Sequence, residues 1–527
     1  MAPSKFNKPG EIMSLWRKVC AFEDITPNTG VCALVDGKQI AIFRFDDMVF
    51  AIDNYDPASE ANVLSRGLVG DLNGELVVAS PIYKQHYNLL TGRCQEDPAN
   101  SISAYPARVH DGMVWVQSTP MRRGGQRKLV VIGNGMAGMR TVEELLQLSN
   151  AYDITVIGAE NYGNYNRILL SPVLSGEKKA DDIMINSKEW YAEKGITLWA
   201  GDAAVKIDRT HRIVTTASGT EFPYDRLLLA SGSNPIMLPI PGKQLPGVIT
   251  FRDLNDVDAM LTASKQYKHA VVIGGGLLGL EAAYGLKRRG MNVTVVHLLD
   301  SLMEKQLDKV AGDMLKISLE SRGLNFKMSA STTEIVGDER VTGVRFADGS
   351  EVIADLVVMA AGIRPNIQLA LDANLRCERG VVVNDSMQTY DPSIYAVGEC
   401  VQHRGMCYGL VAPLWEQARI CAIHLAESGV AYYRGSITST QLKVTGIDLY
   451  SAGDFIGGAN SEALVMKDVK RGVYKRIVIE GTQIKGCVLY GDTKDGPWYF
   501  ELMNEGRDIG GMRDRLLFGE SFADSAA

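Results

Sequence analysis

The sequence contains no Cys-x-x-Cys pair. Its eight cysteines (20, 32, 94, 377, 400, 407, 421 and 487) are scattered, and none falls between 94 and 377. That spacing excludes a thioredoxin-like dithiol and supplies no zinc or iron–sulfur ligand set. Each thiol is expected as a small buried hydrophobe, and a reducing cytoplasm is the expected setting. Long apolar runs are also missing. The most apolar window, Ala270 to Leu286, is broken by Gly274-Gly-Gly276 and by Glu281, so no membrane span is expected. The opening MAPSKFNKPGEIMSLW lacks the apolar core of a signal peptide. Basic runs are scarce too: the densest, Met121-Arg-Arg-Gly-Gly-Gln-Arg-Lys128, has the texture of a linker. With a net charge of −7, nucleic acid is not an expected partner.

What is present is a chain too long for one core. At 527 residues, with 46% apolar and 22% charged residues, about three or four soluble domains are expected. Residues 12 to 117 alternate in short β-like runs, such as Val31 to Val35, Gln39 to Phe43 and Met113 to Val116. Turn pairs separate them: Asp36-Gly37, Asp46-Asp47, Asn73-Gly74 and Asp111-Gly112. An all-β domain is therefore expected over 1–118, followed by a polar, Gly-rich linker over 119–127. From Lys128 the pattern becomes strand, glycine turn, helix, strand, and it occurs twice. After about Thr438 mixed β and helical runs indicate a separate α+β domain over 436–527.

The repeated unit carries the chemistry. Leu129-Val-Val-Ile132 leads into Gly133-Asn-Gly135-Met136-Ala137-Gly138, and Ala270-Val-Val-Ile273 leads into Gly274-Gly-Gly276-Leu277-Leu278-Gly279. In such a turn the first glycine allows the tight bend and the second lets backbone approach a pyrophosphate. The third lets helix and sheet pack closely, and the helix N-terminus receives the phosphates. Glu160, after the strand Ile154 to Ile157, can accept two hydrogen bonds from an adenosine ribose. At the matching place in the second unit stands His297, which suits neither a free ribose nor a ribose phosphate. With no arginine at hand and Asp300 three positions on, the reading leans to NADH and leaves NADPH open.

Two adenine-dinucleotide turns in tandem suggest FAD first and a nicotinamide second, and further motifs make the resemblance specific. Tyr224 to Pro235, with Ala230-Ser231-Gly232, resembles the strand and turn before the nicotinamide domain of two-dinucleotide flavoproteins. Ala360 to Asn366, with Gly362, resembles the return crossing. Ile394 to Cys400, with Gly398 and Glu399, resembles the second FAD strand, Glu399 standing where Asp is commoner. The stretches Asn161 to Leu174, Gly398 to Gly405, Ala412 to Ala418 and Gln441 to Gly446 resemble the FAD-containing half of the NAD(P)H-dependent nitrite reductase large subunit. The resemblance implies FAD binding by 128–242 and 364–435, with Asn161 in the site and Arg167 near the flavin. It also implies a helix beginning near Pro413-Leu414-Trp415 that points its N-terminus at the flavin, and NAD(P)H binding by 243–363. Related ferredoxin and rubredoxin reductases carry a Lys that pairs with the Glu of the second turn. Here Pro172 replaces the Lys, leaving Glu281 to meet solvent, Arg167 or the nicotinamide.

Without a cysteine beside the flavin, the resemblance implies hydride transfer from nicotinamide to flavin N5, with no protein acid or base required and Glu281 and Arg167 as assisting residues. Electrons would leave singly, to a separate sirohaem/iron–sulfur nitrite-reducing chain or a small iron–sulfur protein; an oligomer is left open. The chain ends without a Cys-rich or sirohaem module, so nitrite reduction alone is not expected. A ferredoxin- or rubredoxin-type reductase serving an oxygenase is the rival enzyme, and an FAD-binding sensor or assembly protein the rival of another class.

The front domain resembles the Rieske-like small subunit of the same reductases. Pro81, Asn88, Thr91 and Gly92 keep the frame of a Rieske ligand loop. However, Asp56, Ala58, Ser80 and Tyr83 stand where two Cys and two His would be, and His86 is displaced. The expectation is no metal ligand and no iron–sulfur cluster in this chain, the domain serving as scaffold or docking surface. The fold class expected is thus multidomain: an all-β Rieske-like domain, α/β Rossmann-type FAD and NAD(P)H domains, and a small α+β C-terminal domain.

Overall fold

Asp36-Gly37 and Asp111-Gly112 form tight hairpin turns. In the computed structural model their φ angles are 45° and 82° for the first pair, 50° and 69° for the second. Left-handed backbone at both central positions is what a two-residue hairpin turn needs to match strand twist. The structure describes residues 16–45, 48–72, 75–120, 127–429, 431–444 and 446–523. The turn pairs Asp46-Asp47 and Asn73-Gly74, the opening segment, Thr445 and most of the expected linker lie outside the described residues.

The chain divides into two units. One comprises 1–163, 186–232 and 367–434; the other comprises 164–185, 233–366 and 435–527. At the front of the first lies the β domain. Its four-stranded antiparallel sheet runs Ala104–Tyr105, Met48–Asp53, Lys38–Phe45, Gly30–Val35, beside three-stranded sheets built on Met113–Gln117 and Glu75–Ala79. Alternate residues of Lys38–Phe45 enter different cores. Ala41 and Phe43 pack with Leu64 and Tyr87, whereas Ile40 and Ile42 pack with Val114 and Val116. A period of two thus buries both faces of one strand.

The same unit then forms a parallel sheet in the order Thr197–Ala200, Tyr152–Gly158, Arg127–Ile132, Arg226–Leu229, Ile394–Ala396. Leu129 to Ile132 and Leu227 to Leu229 are all buried, because a parallel sheet is covered on both faces. Helices Met136–Leu148 and Val411–Leu425 contribute to its core.

The second unit repeats the plan. Its parallel sheet runs Val248–Thr250, Leu356–Met359, His269–Ile273, Asn292–Val296, Asn325–Lys327, with the helix Leu277–Arg288 following the central strand. It also holds a five-stranded antiparallel sheet, from Ser439–Val444 at one edge to Ser461–Asp468 at the other, and the helix Gly496–Asn504. That α+β layer is tied to the preceding region by Tyr474, whose hydroxyl donates to Asp308 Oδ2 at 2.6 Å, and by Ser318 with Tyr490 at 2.6 Å. Among the described residues no helix is long and apolar enough to cross a membrane.

Candidate functional site

The glycines of the first turn are needed for three different reasons. Gly133 adopts φ +113°, and a Cβ there would lie 2.1 Å from the Ala230 carbonyl oxygen. A Cβ on Gly138 would meet Gly133 O at 2.8 Å and Ala230 Cβ at 2.9 Å, so helix and sheet could not close. A Cβ on Gly135 would meet nothing within 4 Å beyond its own chain neighbours and helix backbone. It is the N-cap of Met136–Leu148 and supplies no side-chain hydrogen bond to the helix's first N–H groups. An open cradle at an uncapped helix N-terminus is the geometry that accepts a phosphate.

Around this cradle Met136 is half-buried and Ala137 buried. Gly398, at φ +91°, approaches so closely that its Cβ would lie 3.0 Å from Ala137 Cβ. Its N–H donates to Gln417 Oε1 at 3.0 Å, a partner that the sequence reading missed. Glu399 is half-buried next to it, and Gly232 (φ +67°) borders open space beyond buried Ala230 and half-buried Ser231. Glu160 is half-buried two residues past Tyr152–Gly158. Asn161 accepts from Lys188 Nζ at 3.2 Å. On Val411–Leu425, Pro413 and Leu414 are buried, while Trp415 is 47% exposed with the Arg140 guanidinium 5.6 Å from its ring centroid.

The second turn reproduces the first almost atom for atom. Gly274 adopts φ +129° with a would-be Cβ 2.1 Å from Ala360 O; Gly279 would meet Gly274 O at 2.0 Å; Gly276 has nothing within 4 Å. Gly276 caps Leu277–Arg288 without a side-chain bond, and Leu277 and Leu278 are half-buried on its first turn. Gly362, at φ +118°, lies exposed beyond Ala360. The turns differ in their bracing. In the first, Asn134 donates through Nδ2 to Tyr162 O at 3.1 Å and accepts from the Tyr191 hydroxyl at 2.6 Å. In the second, His297 is 8% exposed and its Nδ1 accepts from the Gly275 N–H at 3.0 Å. Asp300, the acid favoured from sequence, is instead paired with Lys309 at 3.1 Å.

Glu281, half-buried on the helix Leu277–Arg288, has a partner that sequence reasoning missed. The Ser171 hydroxyl, immediately before Pro172, donates to its Oε2 at 2.5 Å. Burial pushes the Glu281 carboxyl up to about 7, and only the Ser171 hydrogen bond works against that rise. Arg167 belongs to the same unit, where its Nη1 donates to the Arg252 carbonyl at 3.1 Å and its guanidinium lies 4.9 Å from the Tyr165 ring centroid.

In the front domain, Asp56 is fully buried. It accepts from Ser80 Oγ at 2.6 Å, Ser59 Oγ at 2.7 Å, the Tyr87 hydroxyl at 2.7 Å and the Ala58 N–H at 3.1 Å. Burial raises its carboxyl, but those four donors outweigh it and hold the group below the ordinary Asp range. Tyr83 is 65% exposed, and His86 Nδ1 lies 2.6 Å from Glu96 Oε1.

Residues 127–420, more than half of the chain, match the family described as pyridine nucleotide-disulphide oxidoreductase. The chain belongs to that family. The chain also matches a Rieske-like [2Fe-2S] domain over 15–117 and a rubredoxin NAD+ reductase C-terminal domain over 439–507. It is 50% identical to a nitrite reductase [NAD(P)H] of Bacillus subtilis (strain 168) over 73% of this chain and 48% of that protein. It is 43% identical to an assimilatory nitrate reductase electron transfer subunit of the same organism, over 75% of this chain and 52% of that protein. The chain therefore spans about half the length of these curated relatives. Among solved structures, a ferredoxin reductase from Rhodopseudomonas palustris superposes with a TM-score of 0.65. It is 27% identical and covers 69% of this chain and 91% of that one. The expected fold class and NAD(P)H-dependent flavoprotein family are borne out.

One expectation is corrected. Residues 15–117 match a domain family described by its [2Fe-2S] cluster, which points to an iron–sulfur cluster and overturns the expectation of FAD and a nicotinamide with no iron–sulfur cluster in this chain. The side chains at the four ligand positions, Asp56, Ala58, Ser80 and Tyr83, are not the two thiolates and two imidazoles such a cluster takes.

Proposed function

We propose that the chain is an FAD-dependent, NAD(P)H-oxidising reductase component that delivers electrons to a separate nitrite-reducing sirohaem/iron–sulfur chain. The observation that carries this reading is the pair of glycine turns, each with an open glycine at an uncapped helix N-terminus. FAD is assigned to 128–242 and 364–435, and the nicotinamide dinucleotide to 243–363. Gly135 and the Met136–Leu148 N-terminus would take the FAD pyrophosphate, Glu160 its adenosine ribose, and Glu399 its ribityl chain. Gly276 and the Leu277–Arg288 N-terminus would take the second pyrophosphate. The chemistry supplied when both are bound is hydride transfer to the flavin and electron release to an acceptor.

The protein's part is alignment and field. The helix Val411–Leu425, with buried Pro413 and Leu414 in its first turn, would present its positive end to the flavin ring and favour added negative charge there. Partly exposed Trp415, with Arg140 beside it, would offer an acceptor protein a surface at that end of the helix. The support for nitrite as terminal substrate is the likeness to the two Bacillus subtilis proteins. A second reading, a ferredoxin- or rubredoxin-type reductase, is favoured by the C-terminal domain match and the ferredoxin reductase likeness. Reconstitution separates them. With NADH, this chain and a sirohaem chain, nitrite consumption is expected to require both chains. Efficient reduction of a ferredoxin or rubredoxin with no nitrite consumption would establish the second reading instead.

A further inference from the structure

The second glycine turn lacks an acidic residue at its strand end, yet a carboxylate is held against it from elsewhere. Gly275, at the centre of the turn, is gripped on both backbone groups. Its N–H donates to His297 Nδ1 at 3.0 Å, and its carbonyl accepts from the Met303 N–H at 3.1 Å. A Cβ at 275 would strike the His297 ring and the Leu302 side chain, both at 2.7 Å. Met303 takes φ +55°, and the next residue, Glu304, comes back over the histidine. Its Oε2 lies 3.3 Å from His297 Nε2, a buried ring nitrogen without a hydrogen-bond partner. With Nδ1 accepting from a backbone N–H, the neutral ring carries its proton on Nε2, the nitrogen this carboxylate approaches at 3.3 Å without forming a hydrogen bond.

The other acids of the segment are engaged. Asp300 pairs with Lys309 at 3.1 Å. Asp308 is buried, accepts from the Ala311 N–H at 3.3 Å as a helix cap and receives the Tyr474 hydroxyl at 2.6 Å. Glu304, with a side chain 36% exposed, is the acid left facing outward beside the turn. No arginine occurs between Arg289 and Arg322 to attract a ribose phosphate.

We propose that Glu304, lying beside His297, accepts the adenosine ribose hydroxyls of the nicotinamide dinucleotide and sets a preference for NADH over NADPH. This rests on the reading that the second turn holds that dinucleotide. A carboxylate accepts from a free 2′-hydroxyl and repels a 2′-phosphate, so one group supplies both attraction and rejection.

The test is calorimetric titration of the FAD-loaded full chain with ADP-ribose and with its 2′-phosphate. The wild type is expected to bind ADP-ribose at least about tenfold more tightly. Glu304→Gln should reduce that ratio about tenfold, mainly by weakening ADP-ribose. Asp300→Asn should leave the ratio unchanged. His297→Gln should lower the ratio as well, whereas a merely structural histidine would weaken both ligands equally. A wild-type preference untouched by Glu304→Gln overturns the proposal alone. A wild type that binds neither ligand overturns the nicotinamide-site reading and the proposal with it.

Discussion

Glu281 brings a carboxyl into a helix contact where its partner is a serine and not a cation. Burial raises the group from 4.5 to about 7, opposed only by the Ser171 hydroxyl. Below about pH 4.5 it is protonated in folded and unfolded chains alike. Between about 4.5 and 7 the unfolded chain ionises first, so the neutral form's contribution to stability is lost as pH rises, and above 7 the loss is complete. Glu281→Gln removes this linkage. Its thermal midpoint relative to wild type is expected to climb from pH 5 to pH 8, by the equivalent of at most about 3 kcal/mol. Melting curves at both pH values check this, and a pH-independent difference would contradict it. Asp56 shows the opposite balance, four donors winning over burial to keep a fully buried carboxylate ionised.

The glycine turns are elements in which adjacent positions have opposite tolerances. Gly276 sits at φ −80°, ψ −179° with empty space around it, a conformation any residue adopts. Gly276→Ala is expected to keep the wild-type melting temperature and to bind ADP-ribose at least about tenfold more weakly, since the methyl occupies the ligand's place. Gly274→Ala, strained at φ +129° and 2.1 Å from Ala360 O, is expected to lose stability outright. Circular dichroism melts and nucleotide titrations on both variants check the contrast. These turns were legible in sequence because three glycines at fixed spacing, a strand before and a helix after leave little alternative. The braces were not. His297 meets a backbone N–H twenty-two positions away and Ser171 meets Glu281 across 110, and neither contact leaves a local pattern. Asp300 drew attention by proximity to the strand end, but Lys309, the first residue of the helix Lys309–Ser321, pairs with it, and Glu304, farther along the chain, is the acid beside the turn.

For the whole molecule, hairpin pairs such as Asp36-Gly37 and the Lys128 change of texture made the succession of β, α/β and α+β regions readable from sequence. The expectation about the front domain's cofactor went astray because it weighed four ligand positions, whereas the [2Fe-2S] domain match spans residues 15–117. The ties between the C-terminal sheet and the second parallel-sheet region, Tyr474 to Asp308 and Ser318 to Tyr490, are pairings no spacing announces. The central claim is that this chain itself passes hydride from a bound nicotinamide to bound FAD. Anaerobic titration of the FAD-loaded chain with NADH, followed by flavin absorbance, tests it most directly. The account predicts full bleaching at one equivalent of NADH per FAD. Flavin that stays oxidised in excess NADH and NADPH would contradict it.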